Sequence, residues 1–417
     1  MSTSVRIERI AAGGDGVGRL ADGRVVFVPR TAPGDLAVVS VVKEDKRFAR
    51  ARLDRLEEPG PGRVAPECPH YEGDRCGGCQ LQHLSLETQT VVRRGILIDA
   101  LERIAKTAIE VPPIEPAADP WGYRAKMALT VGPTGKIGYH QVGRPDAVFA
   151  LERCAIASPV LNDLWRRLDR QRTKLPRAAV RLVLRLDRDG GEHLIVETGA
   201  GPIWTGGKAL WEAVKAARPL TIWWQPHEGA ARAVGGTDTA YPATAFEQIH
   251  PAMGDRVRRH AIECLGPVAD RRIWDLYSGI GETSSALAEA GAAAIISVER
   301  DRRAVEEAER RQAAHERRIE RIVGAAERVV GSLGRVDLVI TNPPRVGMDG
   351  EVVRVIRARG PSRVVYISCD PATLARDVAR FRAPGAAGVG YRLTAVRGFD
   401  LFPQTAHLET VAVLECE

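Results

Sequence analysis

Two groups of residues in this chain have types and spacings that can do chemistry. Cys369 closes the apolar run SRVVYIS and is followed by DPATLARD. A thiol at a strand end can be exposed, activated by its surroundings and used as a nucleophile. Further on, FDLFPQTAHLETVAVLE brings in His407 and Glu409, two residues apart on a strand-like segment. That spacing predicts one face and one pocket for both, with Glu409 as proton acceptor and His407 organising hydrogen bonds.

The second group is Cys68-PHYEGDR-Cys76-GG-Cys79-QLQH, three thiols in one loop, with Cys154 available once the chain folds. Gly77 and Gly78 let the backbone turn tightly, so that the thiolates can face one metal centre. Four thiolates suit structural zinc or an iron-sulfur cluster, and spacing does not separate these. Cys76-GG-Cys79 also fits a dithiol redox pair, although such a pair has no use for Cys68. His70 and His83 read as ordinary hydrogen-bonding residues while four cysteines are at hand. Seven cysteines, an odd number, and the polar start MSTSVRIERIAAGGDG argue against a secreted disulfide framework and for a cytoplasmic protein.

A third motif points to a bound cofactor. DLYSGIG, from Asp275 through Tyr277, Gly279 and Gly281, follows an apolar strand and precedes a helix. Its glycines let backbone approach a ligand, while Asp275 can hold an amine-bearing group. Glu299 ends the strand AAAIISVE, where a carboxylate can accept both ribose hydroxyls. The turn lacks a full GxGxxG, and Glu282 next to it would repel a pyrophosphate, which favours S-adenosylmethionine over NAD. Asn342, in NPPRVGM after VDLVIT, falls at the ligand-binding end of another strand.

These motifs need elements to hold them. Residues 1–58 are short β-branched runs broken by Gly, Asp and Pro, a small antiparallel barrel whose basic exterior can grip RNA phosphates. EEPGPGRVAP reads as a linker, and 59–261 as a cysteine-bearing, RNA-binding α+β region with strands near 124–132, 181–188 and 193–199. From 262 to 417 apolar strands alternate with charged helices, one spanning 301–318, which predicts βαβ units and a parallel sheet. The net charge of +7, carried by 52 Arg and eight Lys against 53 acidic residues, leans toward nucleic acid without naming it. No apolar run is long enough to span a membrane.

In their order, the barrel, the cysteine loop, DLYSGIG, NPPRVGM, YISCDPATLARD and LFPQTAHLE resemble the S-adenosylmethionine-dependent RNA (uracil-5-)-methyltransferases, especially the ribosomal RNA branch with an iron-sulfur cluster. The resemblance covers nearly the whole chain. It implies a TRAM-like barrel, a seven-stranded methyltransferase sheet, and a 4Fe-4S cluster on Cys68, Cys76, Cys79 and Cys154. It places Gln248, from AFEQIH, at the cofactor with Asp275, Tyr277, Gly279, Gly281, Glu299 and Asn342. Cys369 becomes the nucleophile and Glu409 the base of a monomeric enzyme acting on 23S ribosomal RNA, with transfer RNA as the alternative.

Three positions depart from the family pattern: Asn342 for Asp, Asp370 for Asn and His250 for Asn. The gap after Cys68 is also longer than usual. The exchange at 342 and 370 alters the donors offered to a pyrimidine edge, so a non-catalytic RNA-binding or assembly protein with a decayed base pocket is the competing expectation. Asn-Pro-Pro also resembles the aminomethyltransferases, but Arg345 replaces their aromatic residue, and their chemistry needs neither Cys369 nor Glu409.

Overall fold

The computed structural model describes residues 2–236, 239, 241, 243, 245–311, 317–383 and 388–417. Strands Ser2–Ile10, Gly16–Arg19, Val25–Val28, Leu36–Glu44 and Phe48–Glu58 form a closed barrel. Alternation in the first strand turns Val5 and Ile7 inward, where they meet Val26, Val28, Val39 and Ala51. The barrel is not wholly antiparallel, since Val25–Val28 pairs in parallel with Phe48–Glu58. EEPGPGRVAP is pinned to it: Arg63 pairs with the buried Asp35 at 2.7 Å, and Gly60 N donates to the same carboxylate.

A six-stranded sheet forms the middle, in the order Arg232–Gly236, Leu220–Gln225, Glu192–Thr198, Ala179–Leu186, Lys126–Val131 and Ile137–Gly138. Helices Pro159–Asp169 and Gly207–Val214 bury Leu161, Leu164, Trp165 and Leu210 with its apolar face.

The C-terminal half is a seven-stranded sheet in the order Ile319–Val323, Ala294–Glu299, Arg272–Leu276, Leu338–Thr341, Arg363–Ser368, Glu409–Cys416 and Tyr391–Phe399. The first five strands are parallel, and Glu409–Cys416 runs antiparallel to both its neighbours. Strand order reverses between Arg272–Leu276 and Leu338–Thr341, which opens a crevice at their carboxyl ends. Of the charged helix expected at 301–318, Arg302–Arg311 is helical, and 312–316 lie outside the described residues.

Helix Leu86–Arg103 crosses the division expected from sequence. Its Leu97 and Leu101 share one core with Trp274, Tyr366, Leu374 and Val378 of the C-terminal sheet and its helices. Among the described residues, no helix is long and apolar enough to cross a membrane.

Candidate active site

The thiol sits where the sheet ends. Cys369 directly follows strand Arg363–Ser368 and is half-buried, and Asp370 caps the next helix, Pro371–Arg382. Asp370 Oδ1 accepts from Ala372 N at 3.0 Å and Thr373 N at 2.9 Å. Asp and Asn cap helices about equally well, so the departure at 370 keeps this role.

Strand Leu338–Thr341 lies beside the thiol's strand, and this brings NPPRVGM alongside Cys369. Asn342 is anchored through its main chain, N to Leu276 O at 3.2 Å. The fully buried Asp377 takes hydrogen bonds from Met348 N and Tyr366 Oη, both at 2.8 Å, while Arg376 donates to Val346 O at 2.8 Å. Gly347 is required in this loop, since at φ +77° a Cβ would lie 2.5 Å from Asp377 Oδ2.

So held, Arg345 serves three groups at once. Burial pushes the Cys369 thiol up to about 11, helped by the Glu409 and Asp370 charges, and Arg345 opposes this by charge and by a hydrogen bond. Burial pushes the Glu409 carboxyl up to about 8, again against Arg345. Burial lowers His407 to about 4, aided by Arg345 and Arg124, so its imidazole is neutral.

Glu409 is 1% exposed and its Oε2 has no hydrogen-bond partner. A dry carboxyl that titrates near neutrality, with one free oxygen, is a better proton acceptor than an imidazole pushed this low. The pair does not share a strand. The last strand begins at Glu409, and His407 lies in the preceding turn, edge-on to Phe402. Both have Arg345 as a neighbour.

On the other side of the crevice, Tyr277 (φ 61°), Gly279 (57°) and Gly281 (76°) are all left-handed. Glu299 backs this turn: Oε2 accepts from Gly279 N and Oε1 from Asp301 N, both at 2.9 Å. Each oxygen keeps a lone pair for a ribose hydroxyl. Asp275 is used beneath the turn, where Ser284 Oγ donates to it at 2.5 Å and burial pushes it up to about 7.

Ala245 packs with Ile280 and Ala304, which lays the 245–248 segment against the turn. This leaves Phe246 65% exposed and sets Gln248 in a cavity of about 170 Å³ with Lys126, Arg185 and Arg188. Thr244, just before this motif, lies outside the described residues. His250 is buried and stacks on Tyr123 with ring centroids 4.9 Å apart. Sequence reading missed the exposed Phe246 and the role of Arg345; only the latter left a signal, as the residue standing where aminomethyltransferases carry an aromatic.

Cys68, Cys76, Cys79 and Cys154 line one pocket and are all free thiols. Among the described residues, no group of three or more His, Cys, Asp or Glu side chains is arranged to hold a metal ion. The two histidines are occupied elsewhere: His70 with Asp74 at 2.6 Å and Glu152 N at 3.1 Å, His83 with Tyr71 Oη at 2.6 Å and Thr31 O at 3.0 Å.

A seven-stranded sheet in this order, with a carboxylate-backed glycine turn at its switch point, defines an S-adenosylmethionine-dependent methyltransferase fold. The sequence model of the tRNA (Uracil-5-)-methyltransferase family matches residues 311–417, the TRAM domain 3–53 and the methyltransferase small domain 255–358. An uncharacterized RNA methyltransferase of Gloeobacter violaceus is 33% identical, over 99% of this chain and 96% of its own. A 23S rRNA (uracil(1939)-C(5))-methyltransferase of Salmonella choleraesuis is 28% identical, over 99% and 96%. The crystal structure of Pyrococcus abyssi tRNA (uracil-54, C5)-methyltransferase with S-adenosyl-L-homocysteine shares the fold, with TM-score 0.74, 24% identity and 99% of each chain covered. The chain belongs to the TRAM-domain RNA (uracil-5-)-methyltransferase family.

Proposed function

We propose that the protein methylates carbon 5 of a uridine in RNA, with S-adenosylmethionine as methyl donor. The observation that carries this reading is the convergence of Cys369, Arg345 and Glu409 at the ends of three neighbouring strands, where Ser368 pairs with Thr410 and Glu409 is buried with Oε2 unpartnered. Carbon 5 of uracil is too weak a nucleophile to react unaided. Cys369 therefore loses its proton to solvent and adds as the thiolate through sulfur to carbon 6, and the carbon 5–carbon 6 π electrons move onto the carbonyl oxygen as an enolate. When bound, S-adenosylmethionine supplies the electrophilic methyl group that carbon 5 takes. Glu409 Oε2 then accepts the carbon 5 proton, the carbon 6 to sulfur bond breaks, and Cys369 is restored.

The residues around the glycine turn fit that cofactor. Glu299 retains acceptor capacity for the ribose, the left-handed Gly279 and Gly281 keep side chains out of the turn, and the segment that carries Gln248 starts at Ala245, which packs on Ile280 of the turn. Tyr277 and Asn342 border the crevice from the strand ends, and Asp275 acts from below through Ser284. The exchanged amide and carboxylate at 342 and 370 leave the thiol and base in place, which favours an enzyme over a decayed binding protein.

The target is structured RNA, held by the barrel's arginine-rich exterior and the central sheet, with the uridine out of its stack at a cost of a few kcal/mol. The deciding experiment maps 5-methyluridine by mass in RNA from cells lacking the gene. Loss from 23S ribosomal RNA assigns the ribosomal substrate and loss from transfer RNA alone assigns the other. Unchanged 5-methyluridine in both would defeat the activity.

A 4Fe-4S cluster on Cys68, Cys76, Cys79 and Cys154 is part of the same reading, supported by four thiols lining one pocket. It would act in structure, away from the methyl transfer. Protein purified without oxygen is expected to hold about four irons per chain, lost in Cys79→Ser and kept in Cys369→Ala. One zinc and no iron would reject the cluster.

A further inference from the structure

The turn Asp400–Leu408 joins strands Tyr391–Phe399 and Glu409–Cys416, with Phe399 paired opposite Glu409. It carries His407 and leads directly into the buried Glu409. Much of the hold on it comes from the N-terminal half of the chain. Gln89 Nε2 donates to Gln404 Oε1 at 2.9 Å, and Gln404 N donates back to Gln89 Oε1 at 3.0 Å. Arg93 donates to Thr405 O at 2.9 Å and to Asp400 Oδ2 at 2.6 Å. Leu81 N, two residues beyond Cys79, donates to Gln404 O at 3.0 Å, and Tyr123 Oη to Pro403 O at 2.9 Å.

Gln89 and Arg93 are fully buried, and Gln404 is 2% exposed. Gln404 also has φ +69°, a left-handed conformation that a side-chain-bearing residue keeps only where its surroundings insist on it. From there the hold passes inward: Thr405 Oγ1 donates to Phe402 O at 2.8 Å and accepts from His407 N at 3.2 Å.

We propose that Gln89 and Arg93 are positioning residues for removal of the carbon 5 proton, setting the Asp400–Leu408 turn that delivers His407 and seals Glu409. The proposal rests on the function proposed above. It separates two steps that share a pocket. The thiol is placed by strand Arg363–Ser368 and the Asp370 cap, and the hydrogen bonds of Gln89 and Arg93 go instead to Gln404, Thr405 and Asp400 of the turn that leads into the base. Disturbing Gln89 therefore slows release and spares addition.

The test is single-turnover kinetics with full-length Gln89→Met and labelled RNA, timing the methylated covalent adduct and then free product on denaturing gels. Adduct formation is expected within about twofold of wild type, with release slowed at least about tenfold. Gln404→Met removes one bond of the pair and leaves Gln404 N donating to Gln89 Oε1, so its delay is expected to be smaller, and the double variant should be no slower than Gln89→Met, which already loses both bonds. Equal slowing of addition and release would mean a general structural role and overturn the proposal, as would wild-type release.

If Gln89→Met does not fold, Gln80→Ala carries the test. Gln80 Oε1 accepts from Ala406 N at 3.4 Å, so the expected delay in release is smaller, about threefold. Cys369→Ala and Glu409→Gln run beside these variants. An adduct in the first or normal release in the second would defeat the proposed function. If both controls behave and the glutamine variants release normally, only the positioning role fails.

Discussion

Cys369→Ala is expected to bind S-adenosylmethionine and RNA with wild-type affinity and yield no methylated product, a fall on the order of 10⁴-fold or more. Nothing in SCDP replaces the lost group: Asp370 is committed to the helix start and Ser368 Oγ to Asp370 O at 3.1 Å. The fold should persist, since removing one half-buried sulfur leaves both the strand and the cap intact. Filter binding, cofactor titration and methyl incorporation check this on one preparation. Measurable turnover in the variant would remove Cys369 as nucleophile.

Glu409→Gln is expected to permit addition and methyl transfer and to strand the RNA on Cys369, with turnover down roughly 10²–10⁴-fold, the usual worth of a positioned base. Wild-type release should rise with pH through about 8, because burial holds the carboxyl protonated below that value and only its anion accepts a proton. The same shift makes a stability prediction. A carboxyl pushed up from about 4.5 to about 8 keeps its proton in the folded chain where the unfolded chain gives it up, so stability falls as pH rises across that window. The amide introduced by Glu409→Gln cannot titrate, and melting temperatures at pH 5 and pH 8.5 should therefore differ less in the variant than in wild type. Equal differences, together with normal release, would move the base elsewhere.

Much of the site was readable from local pattern. DLYSGIG and Glu299 announce themselves because a turn at a strand end needs left-handed backbone and a nearby acid, and both requirements lie within one βαβ unit. Cys369 was readable as the residue after an apolar run. Relations between distant segments were not. Arg345 meets the thiol only because Leu338–Thr341 and Arg363–Ser368 are neighbours in the sheet. Asp275 looked open to a ligand, and its hydrogen bond with Ser284 depends on how the next helix packs. The His407 and Glu409 spacing suggested a shared strand, but the strand begins at Glu409. Helix Leu86–Arg103 gave no sign that it would enter the C-terminal core, because its partners lie some three hundred residues away in Gln404, Thr405 and Asp400.

The exchange of Asp and Asn at 342 and 370 reads differently once placed. Asp370 serves a helix start that either residue can cap, so that position carries a structural demand beside any contact with the base. Asn342 is left as the departure with scope to alter how a pyrimidine edge is recognised, since only its main chain is committed, to Leu276.

The most direct measurement uses RNA carrying tritium at carbon 5 of its uridines, incubated with the protein and S-adenosylmethionine bearing a ¹⁴C methyl group. Methylation at carbon 5 must expel one carbon 5 hydrogen for each methyl gained. Tritium release equal to ¹⁴C incorporation, with both lost in Cys369→Ala, is the predicted result. Methyl incorporation without tritium release would place the methyl group on another atom and contradict uridine carbon 5 as its acceptor.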